Sequence, residues 1–113
     1  MSSLLEELSK AHIMMPREYF EVASAWVNRA KSELRRAMSM LSPDASAQQV
    51  NAAATIIQQV SSGLQYAVNL VTPYQGTDPD AARLVIELQQ IQAMLQELQQ
   101  RISAIMLRLS LSG

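Results

Sequence analysis

A chain of 113 residues can form one modest hydrophobic core but not two, so one folded domain is expected over 1–113. Hydrophobic residues make up 49% of the sequence and aromatic residues only 4%, which leaves Leu, Ile, Val, Ala and Met to build the core. A net charge of −1 gives no long-range attraction to nucleic acid, and the absence of Cys excludes disulfides, thiolate metal sites and a cysteine nucleophile.

The first residues predict a short helix at about 4–12, with Ser3 and Glu6 placed as a capping box. Glu6 and Glu7 stand where a secretory signal would carry positive charge, and no apolar run reaches the roughly 18 residues that a membrane span needs. We therefore expect a protein without a membrane span that is cytoplasmic, or exported without a cleaved signal peptide.

Proline positions predict the starts of three longer helices. Pro16 suits a first helical turn, where its nitrogen needs no hydrogen-bond partner. Ser42-Pro43-Asp44 and Asp78-Pro79-Asp80 each combine an N-cap side chain, a first-turn Pro and an acidic residue that favours the positive end of a helix. A loop is expected from Thr72 to Thr77. Helices are therefore predicted at about 16–41, 44–72 and 79–111.

The first long helix has an apolar stripe with an eleven-residue rhythm, which is typical of a straight helix. We expect this helix to pack across the other two rather than wind with them. Trp26 lies on the stripe, either as a core residue or as a candidate anchor for an interface. The stripe consists of Tyr19, Ala23, Trp26, Ala30, Leu34, Ala37 and Leu41.

A charge cluster lies on the same helix, and its members are Arg29, Lys31, Glu33, Arg35 and Arg36. It could grip phosphates or an acidic partner, or it could be a solvated face in which Glu33 neutralises Arg29 one turn away. Neither interleaved aromatic residues nor a glycine-rich loop accompanies the cluster. We therefore favour the solvated face and expect no nucleic-acid partner.

The middle helix carries no charge. All 33 residues from Ala45 to Thr77 are uncharged, and Gln, Asn, Ser, Thr and Tyr fill the polar positions. Neutral amides cost less to desolvate than ions, which suits either the centre of a monomeric three-helix bundle or a contact face between chains. Gly63 indicates a close crossing of another helix. The apolar seam of this helix consists of Val50, Ala53, Ile57, Val60, Leu64, Ala67 and Val71.

The last helix has the strongest periodicity in the chain. Its apolar residues alternate spacings of four and three over more than three heptads, which predicts a coiled-coil helix. At about 1.5 Å per residue this helix is roughly 50 Å long, so we expect an elongated molecule with an antiparallel hairpin of the last two helices. The seam consists of Leu84, Leu88, Ile91, Leu95, Leu98, Ile102, Ile105 and Leu109.

Further large apolar residues lie outside that seam. Val85 and Met106 flank it on one side and Met94 on the other, whereas Ile86 and Leu107 lie opposite it. Burying each such side chain is worth about 1.5–3 kcal/mol, so we expect a second copy or a partner to cover them. The sequence predicts an intermolecular interface formed by Leu84, Ile86, Leu88, Ile91, Met94, Leu95, Leu98, Ile102, Ile105, Met106, Leu107 and Leu109.

No pattern in the sequence predicts catalysis. His12 is the only histidine, and no spacing ties it to a Ser, Asp or Glu constellation. The sequence lacks a Glu-x-x-His motif and an Asp-rich loop, so we expect no metal, no cofactor and no enzymatic activity.

These patterns together predict an all-α protein, either an elongated helical hairpin or a three-helix bundle with a long C-terminal coiled-coil helix. The expected function is that of a structural subunit that self-associates into a homo-oligomer or a filament-like assembly. The alternative is a small helical chaperone or adaptor that binds an amphipathic helix of a partner protein.

Overall fold

A computed structural model describes residues 14–112, and helices account for the regular structure of this range. The helices are α1 (Arg17–Met40), α2 (Ala47–Val71), a short 3-10 helix (Thr72–Tyr74) and α3 (Pro79–Ser112). No strand occurs between residues 14 and 112, and the all-α prediction is confirmed. The helix expected at 4–12, with its capping box and His12, lies outside the described residues.

The three long helices lie side by side and alternate in direction, forming a three-helix bundle. Val50 at the start of α2 lies beside Leu109 near the end of α3, and Val68 lies beside Leu88. The antiparallel hairpin that the two seams predict is therefore present. The molecule measures 72 × 22 × 16 Å, so it is elongated, as the length of the last helix predicts. None of the described helices is both long and apolar enough to cross a lipid bilayer.

The first helix does not cross this hairpin, which corrects the expectation drawn from its eleven-residue rhythm. Instead α1 runs alongside both α2 and α3. Lys31 pairs with Glu87 of α3 (Nζ to Oε1, 3.5 Å), and the N–H of Met15 donates to Asp78 at the start of α3. Small residues on the inner side of α1 permit this close alignment, since Ala23, Ala30 and Ala37 are buried.

The end of the α1 stripe nearest Pro16 also differs from expectation. Tyr19 is exposed, and its ring meets that of Tyr74 edge-on with 6.2 Å between centroids. Val27, which the eleven-residue stripe omits, is buried in the core. A straight helix held along two neighbours buries a wider stripe than a single row of residues, which explains why Val27 joins the core.

The second helix begins at Ala47, three residues beyond the predicted start. Ser42, Pro43 and Asp44 form a turn instead, in which the N–H of Ala45 donates to the carbonyl of Ser42 at 3.0 Å. The hydroxyl of Ser42 donates to Oδ1 of Asp44 at 2.7 Å and lowers the pKa of that carboxyl, to which the charge of Arg108 also contributes.

A capping box at Ser46 and Gln49 is the actual start of α2. The Ser46 hydroxyl accepts from the Gln49 N–H at 3.2 Å, and Oε1 of Gln49 accepts from the Ser46 N–H at 2.9 Å. This reciprocal pair satisfies two backbone donors that a helix start leaves without partners. The sequence carries this signal as Ser-x-x-Gln, but the Ser-Pro-Asp pattern four residues earlier competes with it.

The start of α3 is as predicted, and Asp78 holds it. Oδ1 of Asp78 accepts from the N–H of Asp80 at 2.9 Å, and Oδ2 accepts from the N–H of Met15 at 2.9 Å. Asp78 is buried, so each carboxylate oxygen meets a backbone donor in place of water. One side chain therefore caps α3 and fastens the start of α1 to it.

Gly63 marks a close approach of α1 to α2, as its position in mid-helix predicts. The indole of Trp26 lies over the glycine, and a Cβ added at residue 63 would come within 2.9 Å of the ring atom Cζ2. Any larger residue at 63 must displace the indole. Trp26 is half-buried against the core, so its packing role is accounted for within the chain.

Candidate interaction surfaces

The predicted interface residues of α3 divide into an inner and an outer group. The inner group packs within the bundle. Half-buried against the core are the seam residues Ile102 and Leu109 and the flanking Met94. The helices α1 and α2 of the same chain cover the rest of the seam, which corrects the expectation that this seam lies between chains. The fully buried members are Leu84, Leu88, Ile91, Leu95, Leu98 and Ile105.

The outer group stays uncovered by the described part of the chain. Ile86 is 56% exposed, Met106 55%, Leu107 61% and the neighbouring Leu111 80%. Val85, in contrast, packs against the core and needs no partner. The last three exposed residues, Met106, Leu107 and Leu111, form what we call the C-terminal patch.

A long-range hydrogen bond fixes how the C-terminal patch sits on the bundle. Nη2 of Arg108 donates to the carbonyl of Ala45 at 2.6 Å, which fastens the last turns of α3 to the turn before α2. Arg108 thus reaches back to the bundle while its neighbour Leu107 stays exposed. Nothing in the sequence pattern indicates this contact, because its partners are 63 residues apart.

An apolar groove adjoins the C-terminal patch between the start of α2 and the end of α3. Its volume is about 300 Å³, and Val50 and Leu109 belong both to its lining and to the bundle interior. The side chains that line it are Ala47, Val50, Asn51, Met106, Leu109 and Ser110. The groove is thus bordered by neutral residues and accessible from solvent.

The outward face of α2 is the second uncharged surface. We call it the neutral face; its exposed residues are Gln48, Ala52, Thr55, Gln59, Ser62, Tyr66 and Asn69. Tyr66 is 66% exposed at one end. The hydroxyls of Thr55 and Ser62 donate to carbonyls one turn earlier, at 3.1 Å each. These two hydroxyl donors are therefore satisfied within the helix and would lose no partner if another chain covered the neutral face.

The charge cluster of α1 is largely paired within the chain. Glu33 binds Arg36 (Oε2 to Nη2, 3.0 Å) rather than Arg29, and Lys31 is held by Glu87. Between α1 and α2, Trp26 and Arg29 border a groove of about 360 Å³. Glu33 and Arg36, which pair with each other, also line that groove, so the groove carries charges of both signs.

Several of the described carboxylates form surface ion pairs. Glu21 pairs with Arg17 and Glu97 with Arg101, each with an arginine one turn away on the same helix. Such exposed pairs contribute little to stability. Between residues 14 and 112, no three His, Cys, Asp or Glu side chains lie close enough together to hold a metal ion.

Comparison with protein families, curated proteins and solved structures gives no match for this chain.

Proposed function

We propose that this protein is a non-enzymatic structural subunit that self-associates into a homo-oligomer or a filament-like assembly. The supporting observation is that Ile86, Met106, Leu107 and Leu111 are each more than half exposed after the chain has buried its own core. Three of these large apolar side chains form the C-terminal patch, and such a cluster favours association with a complementary surface. A second copy of the chain exposes the same apolar residues and so offers such a surface.

The neutral face of α2 supports assembly beyond a dimer. A two-fold contact uses the same surface on both copies and closes after two chains, so a filament built from such dimers needs a second, different contact. The neutral face supplies that second surface, because its Gln, Ser and Thr residues can be desolvated at lower cost than the Lys and Glu of ordinary solvent-facing helices.

The alternative function is that of a small helical chaperone or adaptor, and the apolar groove beside Met106 favours it. A methionine in the lining of a groove of about 300 Å³ can adapt to side chains of different shape. An amphipathic helix of a partner protein would place an apolar residue there. Under this alternative, the free protein is a monomer or dimer at every concentration.

The proposal predicts a molar mass that rises with concentration. Wild type should exceed the 12.5 kDa of one chain at hundreds of micromolar, as measured by light scattering or sedimentation equilibrium. The double variant Leu107→Lys, Leu111→Lys should remain at 12.5 kDa with unchanged helical circular dichroism, because two charges would have to be desolvated in each subunit.

The matched control carries the same two charges elsewhere. Met14→Lys with Val22→Lys also replaces two exposed apolar residues, near the start of α1, and should assemble like wild type. A wild type that stays monomeric at hundreds of micromolar refutes self-association. Assembly that survives in the Leu107 and Leu111 variant shows instead that a different surface carries it.

A further inference from the structure

We infer that the outward side of α3 pairs with the same surface of a second copy in antiparallel orientation, about a two-fold axis midway between Leu98 and Gln99. This inference rests on the proposed self-association and specifies the partner and the geometry of its first contact. It is carried by the pattern of exposed residues on α3 and by the position of their charges.

Eight exposed residues form a second heptad stripe on α3, opposite the buried seam. The spacings of the stripe are 4, 3, 4, 3, 4, 3, 4, and five of its residues are apolar. A helix can pair with another helix along any such stripe that neighbouring elements leave uncovered. We call it the outer stripe; its residues are Ile86, Gln90, Ala93, Glu97, Gln100, Ala104, Leu107 and Leu111.

An antiparallel arrangement brings the outer stripe into register with itself. In antiparallel coiled coils each a position of the heptad faces a d position of the other helix. Around the proposed axis every layer then contains two members of the stripe. The layers are of four kinds, each occurring twice about the axis: Ile86 opposite Leu111, Gln90 opposite Leu107, Ala93 opposite Ala104, and Glu97 opposite Gln100.

The small residues set how closely the helices approach. The layers of Ala93 and Ala104 flank the two central layers of Glu97 and Gln100, and both alanines are exposed in the single chain. Two alanines facing each other let the helix axes come closer than larger side chains do, which increases contact along the whole stripe. Ile86 and Leu111 close the contact at both ends.

Charge distinguishes the antiparallel from the parallel arrangement. Glu97 is the only ionised residue of the outer stripe, and a parallel pair would place the two copies of Glu97 opposite each other. The antiparallel pair places Glu97 opposite the neutral Gln100, beside Arg101 of the other copy. Arg101 already contacts Glu97 within its own chain (Nη2 to Oε1, 3.4 Å), so the two pairs can join across the axis. Opposed helix dipoles add to the same preference.

Cysteine cross-linking tests this register, because the natural chain contains no Cys. In the antiparallel pair, residue 93 of one copy faces residue 104 of the other, whereas the two copies of residue 93 lie about 16 Å apart along the axis. An equimolar mixture of Ala93→Cys and Ala104→Cys proteins, treated with a short bifunctional thiol reagent, should yield severalfold more covalent dimer than either protein alone. Adding Leu107→Lys and Leu111→Lys to both should abolish this excess.

The outcomes separate the inference from the proposed function. Unsubstituted protein that is monomeric at hundreds of micromolar overturns both. Concentration-dependent association with dimers formed equally well by each single variant shows a parallel pair and overturns the inference alone. Association without any cross-linking at residues 93 and 104 also overturns it, because the contact then lies on another surface such as the neutral face.

Discussion

Leu98→Asp is expected to unfold the chain rather than merely dissociate an assembly. Leu98 is completely enclosed in the core of the bundle, at 0% exposure. Removing its buried atoms costs about 2–5 kcal/mol, and a carboxylate without a partner costs several kcal/mol more. Since a domain of this size is typically stable by about 5–15 kcal/mol, the variant should lose its helical signal or most of its resistance to denaturant.

Circular dichroism and urea unfolding check this expectation, with Gln99→Asp as the matched control. Gln99 is the next residue along the helix and is exposed, so the same carboxylate there remains hydrated and should change stability by less than about 1 kcal/mol. A Leu98→Asp protein that keeps its helical content and cooperative unfolding while losing only molar mass would show that the seam lies between chains after all.

Asp78→Ala is expected to destabilise the chain by about 2–4 kcal/mol. The substitution removes the cap of α3 and leaves the buried N–H of Met15 without its acceptor. Asp78→Asn should have an intermediate effect, because its amide oxygen can still accept from Asp80 while its NH₂ group cannot accept from Met15. The midpoint of urea unfolding gives the order of the three proteins.

Asp80→Ala is the control for Asp78. Asp80 is two residues away and its side chain pairs with Arg83 at 3.9 Å near the surface, so its loss should cost less than about 1 kcal/mol. Equal effects of the two alanine substitutions would contradict the role of Asp78 in joining α1 to α3.

The periodicity of the sequence is sufficient to predict α2, α3 and their antiparallel packing. The seams from Val50 to Val71 and from Leu84 to Leu109 face each other as their spacings require. Asp78-Pro79 also begins α3 as predicted, with the Asp78 side chain accepting from the N–H of Asp80, whereas the same pattern at Ser42-Pro43-Asp44 forms a turn. These features depend on residues close together in the chain, which is why local patterns reveal them.

Local patterns do not determine which chain covers the seam. A heptad stripe on α3 specifies that another helix must pack there, but not whether that helix belongs to the same molecule. The buried Ala23, Ala30 and Ala37 of α1 allow a third helix to close over the core, and that close fit is a property of the assembled bundle. The contact of Arg108 with Ala45 is likewise a long-range result of folding.

The exposed residues opposite the seam are nevertheless identifiable from the sequence. Ile86 and Leu107 fall at positions that a single helical layer cannot cover, and both are exposed. Met94 belongs to the same predicted group but packs against the core, since three helices cover a wider sector of α3 than two do. The surfaces proposed for assembly are thus narrower than the sequence alone suggests.

Dilution of the protein, with molar mass and circular dichroism recorded together, tests most directly whether one chain buries its own seam. A bundle that buries its seam within one chain should keep its full helical signal and unfold cooperatively at concentrations where the mass is 12.5 kDa. Helical signal that disappears in step with molar mass on dilution would show that the helices depend on other chains, and would contradict the self-contained bundle.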